Sequence, residues 1–357
     1  MSSDFKQNNN PETVPRLHPL KHHQSVRVEE TVVRASAYGE FERDAYERHL
    51  ERLAMLGLCH CSASVRSGRL YQEDRTSTYE HPSLPIKAWA VYDGHGGAYV
   101  SDYLSKDDRF LRELVDEVFA RPQLATSDRI EHFFLQFDRK NFADNPSART
   151  CGSTACVAVL CDDILYLAST GDSCAICFDQ NGRLLMQTTE HKPEHPFEAA
   201  RLQSLGHEVD RGSGAPSTSV WRVNGRLAMS RAFGDYYLKP GVTARPSVSA
   251  IRFAAPSSHS DDNERRAKTP ASGEKRYNYY LLLATDGVWD CYTAQQLIGV
   301  VRKQLQTFGS AQKVAKSMQS VCGTILNAVE SACKNRVSDN KTLMLIHVAR
   351  TEYATLA

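Results

Sequence analysis

No apolar run in the sequence approaches the roughly 20 residues that a membrane-spanning helix requires, so membrane insertion is not expected. There is no surplus of either charge. Lys and Arg number 43 against 42 Asp and Glu, leaving a formal net charge of +1. That balance gives nucleic-acid phosphates or anionic lipid no general hold on the chain, and no nucleic-acid partner is expected. The opening Met1-Ser2-Ser3-Asp4-Phe5-Lys6-Gln7 lacks the apolar stretch of a secretory signal. Ser2 stands where N-myristoylation needs Gly, and Ala354–Ala357 offers no Cys for prenylation. These absences lead to an expectation of a protein of the cytoplasm or nucleus.

What is present suits a sizeable globular domain. Of 357 residues, 41% are hydrophobic and 24% charged, average for a soluble fold. Ten Cys occur. In a chain of this length without a signal they are expected to be reduced and mostly buried. Cys59 with Cys61 and Cys174 with Cys177 are the close pairs. Neither has the second pair or His partners of a structural zinc site, so both are read as packing residues.

Residues 1–40 are polar, interrupted by Pro11, Pro15 and Pro19, and show no period. They read as a flexible arm, which also accounts for His18, His22 and His23. From Phe41, Tyr46, Leu50, Leu53 and Ala54 repeat at helical spacing and Gly57 follows as a stop, so a helix is expected over 41–57. Residues 58–350 read as the main domain. Within it Cys156–Cys161 and Ile164–Ser169 flank Asp162-Asp163, and Ser173–Phe178 and Arg183–Gln187 flank Asp179-Gln180-Asn181-Gly182. Both patterns predict hairpins. Helices are expected over Ala98–Ala120, Ser127–Ala143, Thr293–Gln306 and Ala311–Asn335. Pro256–Arg276 contains no Leu, Ile, Val, Met or aromatic residue and reads as an exposed insertion loop. No internal repeat is visible.

Acidic residues recur at the ends of predicted strands. Trp89–Tyr92 ends in Asp93-Gly94-His95, Tyr279–Ala284 in Thr285-Asp286-Gly287, and Ile164–Ser169 in Thr170-Gly171-Asp172. Glu73-Asp74 precedes the alternating Arg75–Tyr79, and Asp339-Asn340 precedes Thr342–Val348. One Asp-Gly at a strand end is an ordinary turn. Five such sites, with Arg69 and His95 among them, suit hard cations that take oxygen ligands, Mg²⁺ or Mn²⁺ rather than zinc.

The ordered set of motifs resembles the metal-dependent Ser/Thr protein phosphatases of type 2C. It comprises Arg69-Leu70-Tyr71-Gln72-Glu73-Asp74, Trp89-Ala90-Val91-Tyr92-Asp93-Gly94-His95-Gly96-Gly97, Cys151-Gly152-Ser153-Thr154-Ala155 and Gly171-Asp172-Ser173. Glu190-His191-Lys192-Pro193, Ser230-Arg231-Ala232-Phe233-Gly234-Asp235, Thr285-Asp286-Gly287-Val288-Trp289-Asp290 and Ser338-Asp339-Asn340 complete it. Cys174 departs from the Arg that the family usually carries after Gly-Asp-Ser, and Pro256–Arg276 is longer than expected.

The resemblance implies an α+β, four-layer αββα sandwich, with two antiparallel sheets flanked by antiparallel helix pairs. It implies two Mn²⁺ or Mg²⁺ ions bridged by Asp93, one held by Asp286 and Asp339, the other by Glu73 and the Gly94 carbonyl. Asp74 would support these ligands, and Asp172, Asp286 and Asp290 would form a weaker third site. A metal-bridged water would attack the phosphorus of phosphoserine or phosphothreonine. Arg69 would bind the phosphate oxygens and His95 would protonate the leaving oxygen. His191 is read as structural, and Arg231 with Asp235 as a buried pair or loop brace. Expected partners are phosphorylated proteins in signalling, met by a monomer. A pseudophosphatase that only binds partners and a hydrolase of small phosphoesters remain the alternatives.

Overall fold

The computed structural model describes residues 56–67, 69–120, 127–211, 220–253, 274–306, 311–332 and 339–353. The expected arm 1–40 lies outside the described residues, as do 41–55 of the expected helix and 256–273 of the expected loop. Leu56 and Gly57 already belong to a strand, and so do Glu274, Lys275 and Arg276.

Ten strands build two sheets: β1 (Leu56–Val65), β2 (Arg75–Glu80), β3 (Ile86–Tyr92), β4 (Ala155–Cys161), β5 (Ile164–Thr170), β6 (Cys174–Asp179), β7 (Leu184–Gln187), β8 (Ser247–Arg252), β9 (Glu274–Ala284) and β10 (Lys341–Tyr353). One sheet runs β8-β5-β4-β3-β2 and the other β1-β10-β9-β6-β7. Every neighbouring pair in both is antiparallel. The hairpins form where turn residues allow them. Asp162 adopts a positive φ between β4 and β5. The Asp179 side chain accepts hydrogen bonds from the backbone N–H groups of Asn181 and Arg183, both at 2.9 Å, an Asx turn ahead of β7.

The helices are α1 (Tyr99–Ser105), α2 (Arg109–Leu114), α3 (Ser127–Phe142), α4 (Pro196–Ser204), α5 (Asp286–Trp289), α6 (Ala294–Gln306) and α7 (Ala311–Ala332). Helices cover both outer faces, while α4 packs apart, with Leu202 against Val223, Leu238 and Val242. The helix expected over 98–120 is broken. Asp107 and Asp108 take left-handed φ values of 52° and 51°, which Asp tolerates better than most side chains. Asp108 then accepts a bond from the Thr78 N–H at 3.1 Å, tying the break to β2. At α6, Thr293 and Gln296 cap the first turn reciprocally, Thr293 N–H to Gln296 Oε1 at 2.9 Å and Gln296 N–H to Thr293 Oγ1 at 3.4 Å, a variant of the capping box.

Three apolar layers follow from this stacking. Trp89, Val91, Ala158, Leu167, Leu281, Leu283 and Ile346 fill the space between the sheets. The opposite faces of the same strands meet the helices. Leu297, Ile298, Val301 and Leu305 of α6 and Val321, Cys322, Ile325 and Val329 of α7 pack on the β1-β10-β9 face. Their spacing is that of one helical stripe. On the other side Phe133, Phe134 and Phe137 of α3 surround Phe110 of α2, with ring centroids 5.5, 5.0 and 5.0 Å away. The expectation of reduced cysteines is corrected: Cys61 of β1 and Cys322 of α7 are joined as a disulfide, and Cys291 is disulfide-bonded as well. Cys61 and Cys322 lie 261 residues apart, and the packing of α7 on β1 brings them together. Cys59, Cys156, Cys161, Cys174 and Cys177 are free and buried as expected.

Phe110 also meets Tyr92 and Phe233 edge-on, so it links β3, α2, α3 and the loop before Asp235. Phe110→Ala is expected to lower unfolding free energy by about 3–5 kcal/mol, the cost of truncating a buried aromatic. Chemical denaturation measures it.

Candidate active site

Strand register brings the acidic residues to one edge of the sandwich. Arg75 pairs with Tyr92, so Glu73-Asp74 before β2 lies beside Asp93 after β3. Ala155 pairs with Thr170, which sets Thr154 beside the Gly171-Asp172 corner where the chain crosses between the sheets. In the second sheet Cys174 pairs with Ala284, and Ala284 with Leu343. Asp172, Asp286 and the Asp339-Asn340 turn thus share the same edge.

Hydrogen bonds fix Glu73, Asp74 and Asp93. The Asp93 N–H donates to Thr154 Oγ1 at 3.0 Å and the Asp93 carbonyl accepts from the Thr154 N–H at 2.9 Å. Asn340 Oδ1 accepts from the Glu73 N–H at 2.8 Å, while its Nδ2 donates to the carbonyls of Arg66 and Tyr71 at 3.2 and 3.0 Å. Ser101 Oγ donates to the Glu73 carbonyl at 2.6 Å. A Cβ on Gly94 would collide with both Ser101 Oγ and that carbonyl, so only Gly lets the loop after Asp93 pass this close to Glu73. Thr285 Oγ1 donates to Asp74 Oδ2 at 3.0 Å.

The electrostatics follow from crowding. Burial pushes the Asp93 pKa well up, and the carboxylates of Asp286, Asp74, Asp172 and Asp339 push it further. Burial and Asp172 raise Asp286 to about 8, against an opposing pull from Lys192. Burial raises Asp74 to about 6. Two cations of the chain touch the cluster. Arg69 donates to Asp339 Oδ2 at 2.7 Å, and Lys192 Nζ to Asp172 Oδ2 at 2.6 Å. Among the described residues, Asp93 and Asp286 form no ion pair, and Asp172 Oδ1 is buried without a hydrogen-bond partner. Asp290 lies exposed at the rim.

No three Asp, Glu, His or Cys side chains among the described residues are already gathered into a cation cage. The donor set nevertheless fits Mg²⁺ or Mn²⁺. It is all oxygen, it carries excess negative charge, and it holds a buried carboxylate oxygen with nothing to bind.

His95 sits in a short ladder beside this edge. Gly94–His95 pairs with Gly152–Ser153, which pairs with Phe233–Gly234. The ladder sets His95 Nε2 2.6 Å from Asp235 Oδ2. Burial alone would favour neutral imidazole, but the Asp235 carboxylate overrides it and raises the His95 pKa. Nδ1 is buried and has no partner among the described residues. Gly152 lies so close to both side chains that a Cβ there would strike them.

This corrects one expectation. Arg231 and Asp235 do not pair with each other: Arg231 holds Glu198 through two of its nitrogens, and Asp235 holds His95. The Asp235 contact spans 140 residues, so no local pattern could reveal it. Lys192 was likewise not singled out, although it lies next to His191. His191 is structural in its contacts. Its Nδ1 lies 3.0 Å from the Gly171 carbonyl and its Nε2 2.8 Å from Ser247 Oγ. Burial lowers its pKa to about 4, so the ring is neutral.

With this geometry in view, comparison with known proteins decides the family. The family model described as Protein phosphatase 2C matches residues 55–328. The chain belongs to the protein phosphatase 2C family. Protein phosphatase 2C 77 of Arabidopsis thaliana is 31% identical over 242 residues, 65% of this chain and 50% of the relative. Protein phosphatase 2C homolog 2 of Aspergillus fumigatus is 29% identical over 292 residues, 77% of this chain and 58% of the relative. The chain thus spans about half the length of these curated relatives. A serine-threonine phosphatase 2C from Toxoplasma gondii superposes with TM-score 0.60 at 20% identity, over 82% of this chain and 95% of that one. The likeness supports the αββα fold. Asp339 lies beyond the family match and reaches the edge because β10 runs between β1 and β9.

Metal binding is expected to displace protons from the raised carboxyls. A carboxyl with a pKa near 8 is largely protonated at pH 7, and a cation binds only its ionised form. Apparent affinity for Mn²⁺ should therefore climb with pH up to about 8 and level off above it. Titration calorimetry at pH 7 in buffers of differing ionisation enthalpy should show net proton release. Affinity independent of pH between 6 and 8 would mean either that Asp286 is already ionised below this range or that it is not a ligand.

Proposed function

We propose that this chain is a metal-dependent protein serine/threonine phosphatase using two Mn²⁺ or Mg²⁺ ions. The observation that carries the reading is the convergence of Glu73, Asp93, Asp286 and Asp339 on one edge, flanked by Arg69 and the His95–Asp235 pair. Asp93 would bridge the ions, with Asp286 and Asp339 on one and Glu73 and the Gly94 carbonyl on the other. The ions would supply an activated water and neutralise charge at phosphorus. Asp74, bonded to Thr285, keeps the ligand edge in place. A third ion at Asp172, Asp286 and Asp290 would have to share Asp172 with Lys192.

The protein groups divide the remaining work. Arg69 would bind phosphate oxygens, exchanging Asp339 for the substrate; its forked, permanently charged donors suit two oxygens at once. His95, kept protonated by Asp235, would give its proton to the departing Ser or Thr oxygen. Without that proton the oxygen would have to leave as a poorly stabilised alkoxide. Nothing in the scheme needs a covalent phospho-residue. Residues 1–40 and 256–276 supply none of these groups and would act outside the chemistry. Among the described residues no helix is long and apolar enough to cross a membrane; we place the activity on phosphoproteins of cytoplasmic or nuclear signalling, in a monomer.

Turnover of p-nitrophenyl phosphate should require Mn²⁺ or Mg²⁺ and vanish in excess chelator; undiminished activity in chelator would end the two-ion reading. His95→Gln should cost about a hundredfold on a phosphopeptide, within the usual range for general-acid catalysis, and far less on p-nitrophenyl phosphate, whose leaving group needs no proton. Asp235→Asn should reproduce that leaving-group pattern more weakly while Mn²⁺ affinity stays unchanged. Equal losses on both substrates would remove the pair from proton transfer. Arg69→Ala should raise KM about ten- to hundredfold, the range for losing a charge-assisted contact, and weaken inhibition by inorganic phosphate in parallel.

A further inference from the structure

The loop that carries Arg69 presents two large apolar side chains to solvent. Leu70 is 81% exposed and Tyr71 75% exposed. Nothing among the described residues covers them. Exposed apolar side chains are common singly, and mobile loops can often fold them away. This loop is not built to do so. Arg69 N–H donates to the Arg66 carbonyl at 3.1 Å, and the Arg66 guanidinium donates to the Leu70 carbonyl at 3.2 Å. Asn340 Nδ2 holds the Tyr71 carbonyl and Arg75 holds the Gln72 carbonyl at 2.7 Å. The backbone of each residue from 69 to 73 except the pair's own side chains is thus pinned, and the pair is held outward.

We propose that Leu70 and Tyr71 form a docking surface for the apolar residues that flank the phosphorylated Ser or Thr of a protein substrate. This rests on the phosphatase reading, because Arg69 must bind the phosphate. Consecutive Cα atoms lie about 3.8 Å apart, and an extended peptide advances about 3.3 Å per residue. With the phosphate on Arg69, side chains one or two positions from the phospho-residue would come within reach of Leu70 and Tyr71, its neighbours in the chain. A Leu and a Tyr suit apolar partners of Leu, Ile, Val or Phe type. They offer little to charged or small polar ones. A rigid aromatic is also the kind of side chain that concentrates binding energy at low entropic cost. The surface would therefore select among phosphosites by what flanks them, while the chemistry at the carboxylate edge stays the same for all.

The test uses the full chain with Mn²⁺ and three substrates: p-nitrophenyl phosphate and two phosphothreonine peptides differing only in Leu or Ser at the two positions on either side. Burying one or two apolar side chains predicts about a tenfold higher kcat/KM for the Leu-flanked peptide, expressed in KM. In the Leu70→Ser/Tyr71→Ser variant that preference should fall to within about twofold, with p-nitrophenyl phosphate turnover unchanged within about twofold. Equal wild-type rates on the two peptides, with normal aryl phosphate turnover, would overturn the docking surface alone, and would leave the patch to another occupant such as residues 1–55 of this chain. A preference that survives in the double variant would overturn it as well, and so would a variant that loses aryl phosphate turnover. No Mn²⁺-dependent turnover of p-nitrophenyl phosphate by the wild type would instead overturn the phosphatase reading, and this proposal with it.

Discussion

Like charge concentrated at one edge of the sandwich is the constraint around which the rest is arranged. Two antiparallel sheets, each with its own register, deliver Glu73, Asp93, Asp172, Asp286 and Asp339 to the same end. In water these carboxylates would ignore one another. Here burial and mutual repulsion raise Asp93 and Asp286, so the edge opposes folding while it is free of cations. The stability that tolerates it resides elsewhere, in the apolar layer between the sheets and the two layers beneath the helices. That separation lets the edge be built for binding rather than for strength.

Neutral hydrogen bonds hold much of the edge in shape. Thr154 clamps Asp93, Thr285 holds Asp74, and Asn340 ties the 66–73 loop to the start of β10. Lys341, fully buried, reaches Ser67 Oγ at 2.5 Å and Glu330 of α7 at 3.1 Å. The loop bearing Arg69 is therefore anchored to the helix layer behind the second sheet, with α7 packed in turn on β1. Except at Asp74, these neutral bonds go to the backbone, which positions the acidic residues without covering or neutralising their carboxylates.

Much of this was legible from short segments. Strand, acid and Gly are contiguous at Asp93 and Asp286, so local pattern alone marked them, and the hairpins followed from Asp162-Asp163 and Asp179–Gly182. What was not legible depends on contacts between distant segments. The His95–Asp235 bond needs the three-stranded ladder at Gly94, Gly152 and Phe233 to exist first. The Cys61–Cys322 link needs α7 docked on β1. The break at Asp107-Asp108 could not be foreseen because Phe110, Leu111 and Leu114 continue an apolar stripe across it; the backbone bond from Thr78 outweighs helix continuity there. Arg231 was assigned the wrong partner because Glu198 lies on α4, 33 residues away, while Asp235 was its near neighbour in sequence.

The distribution of the chain's own cations explains how one edge can serve two opposite needs. Arg69 and Lys192 meet Asp339 and Asp172, and leave Asp93 and Asp286 without an ion pair among the described residues. A cation of the chain placed beside them would satisfy those two groups and close the edge to any ion. Asp235 reaches His95 through the small three-stranded ladder of Gly94–His95, Gly152–Ser153 and Phe233–Gly234, where a Cβ on Gly152 would strike both side chains. On the proposed reading, the positive charge for proton donation would be stabilised by Asp235, and the other carboxylates would be left for metal. The glycine at 152 makes that arrangement possible, since any side chain there would occupy the space through which His95 and Asp235 meet.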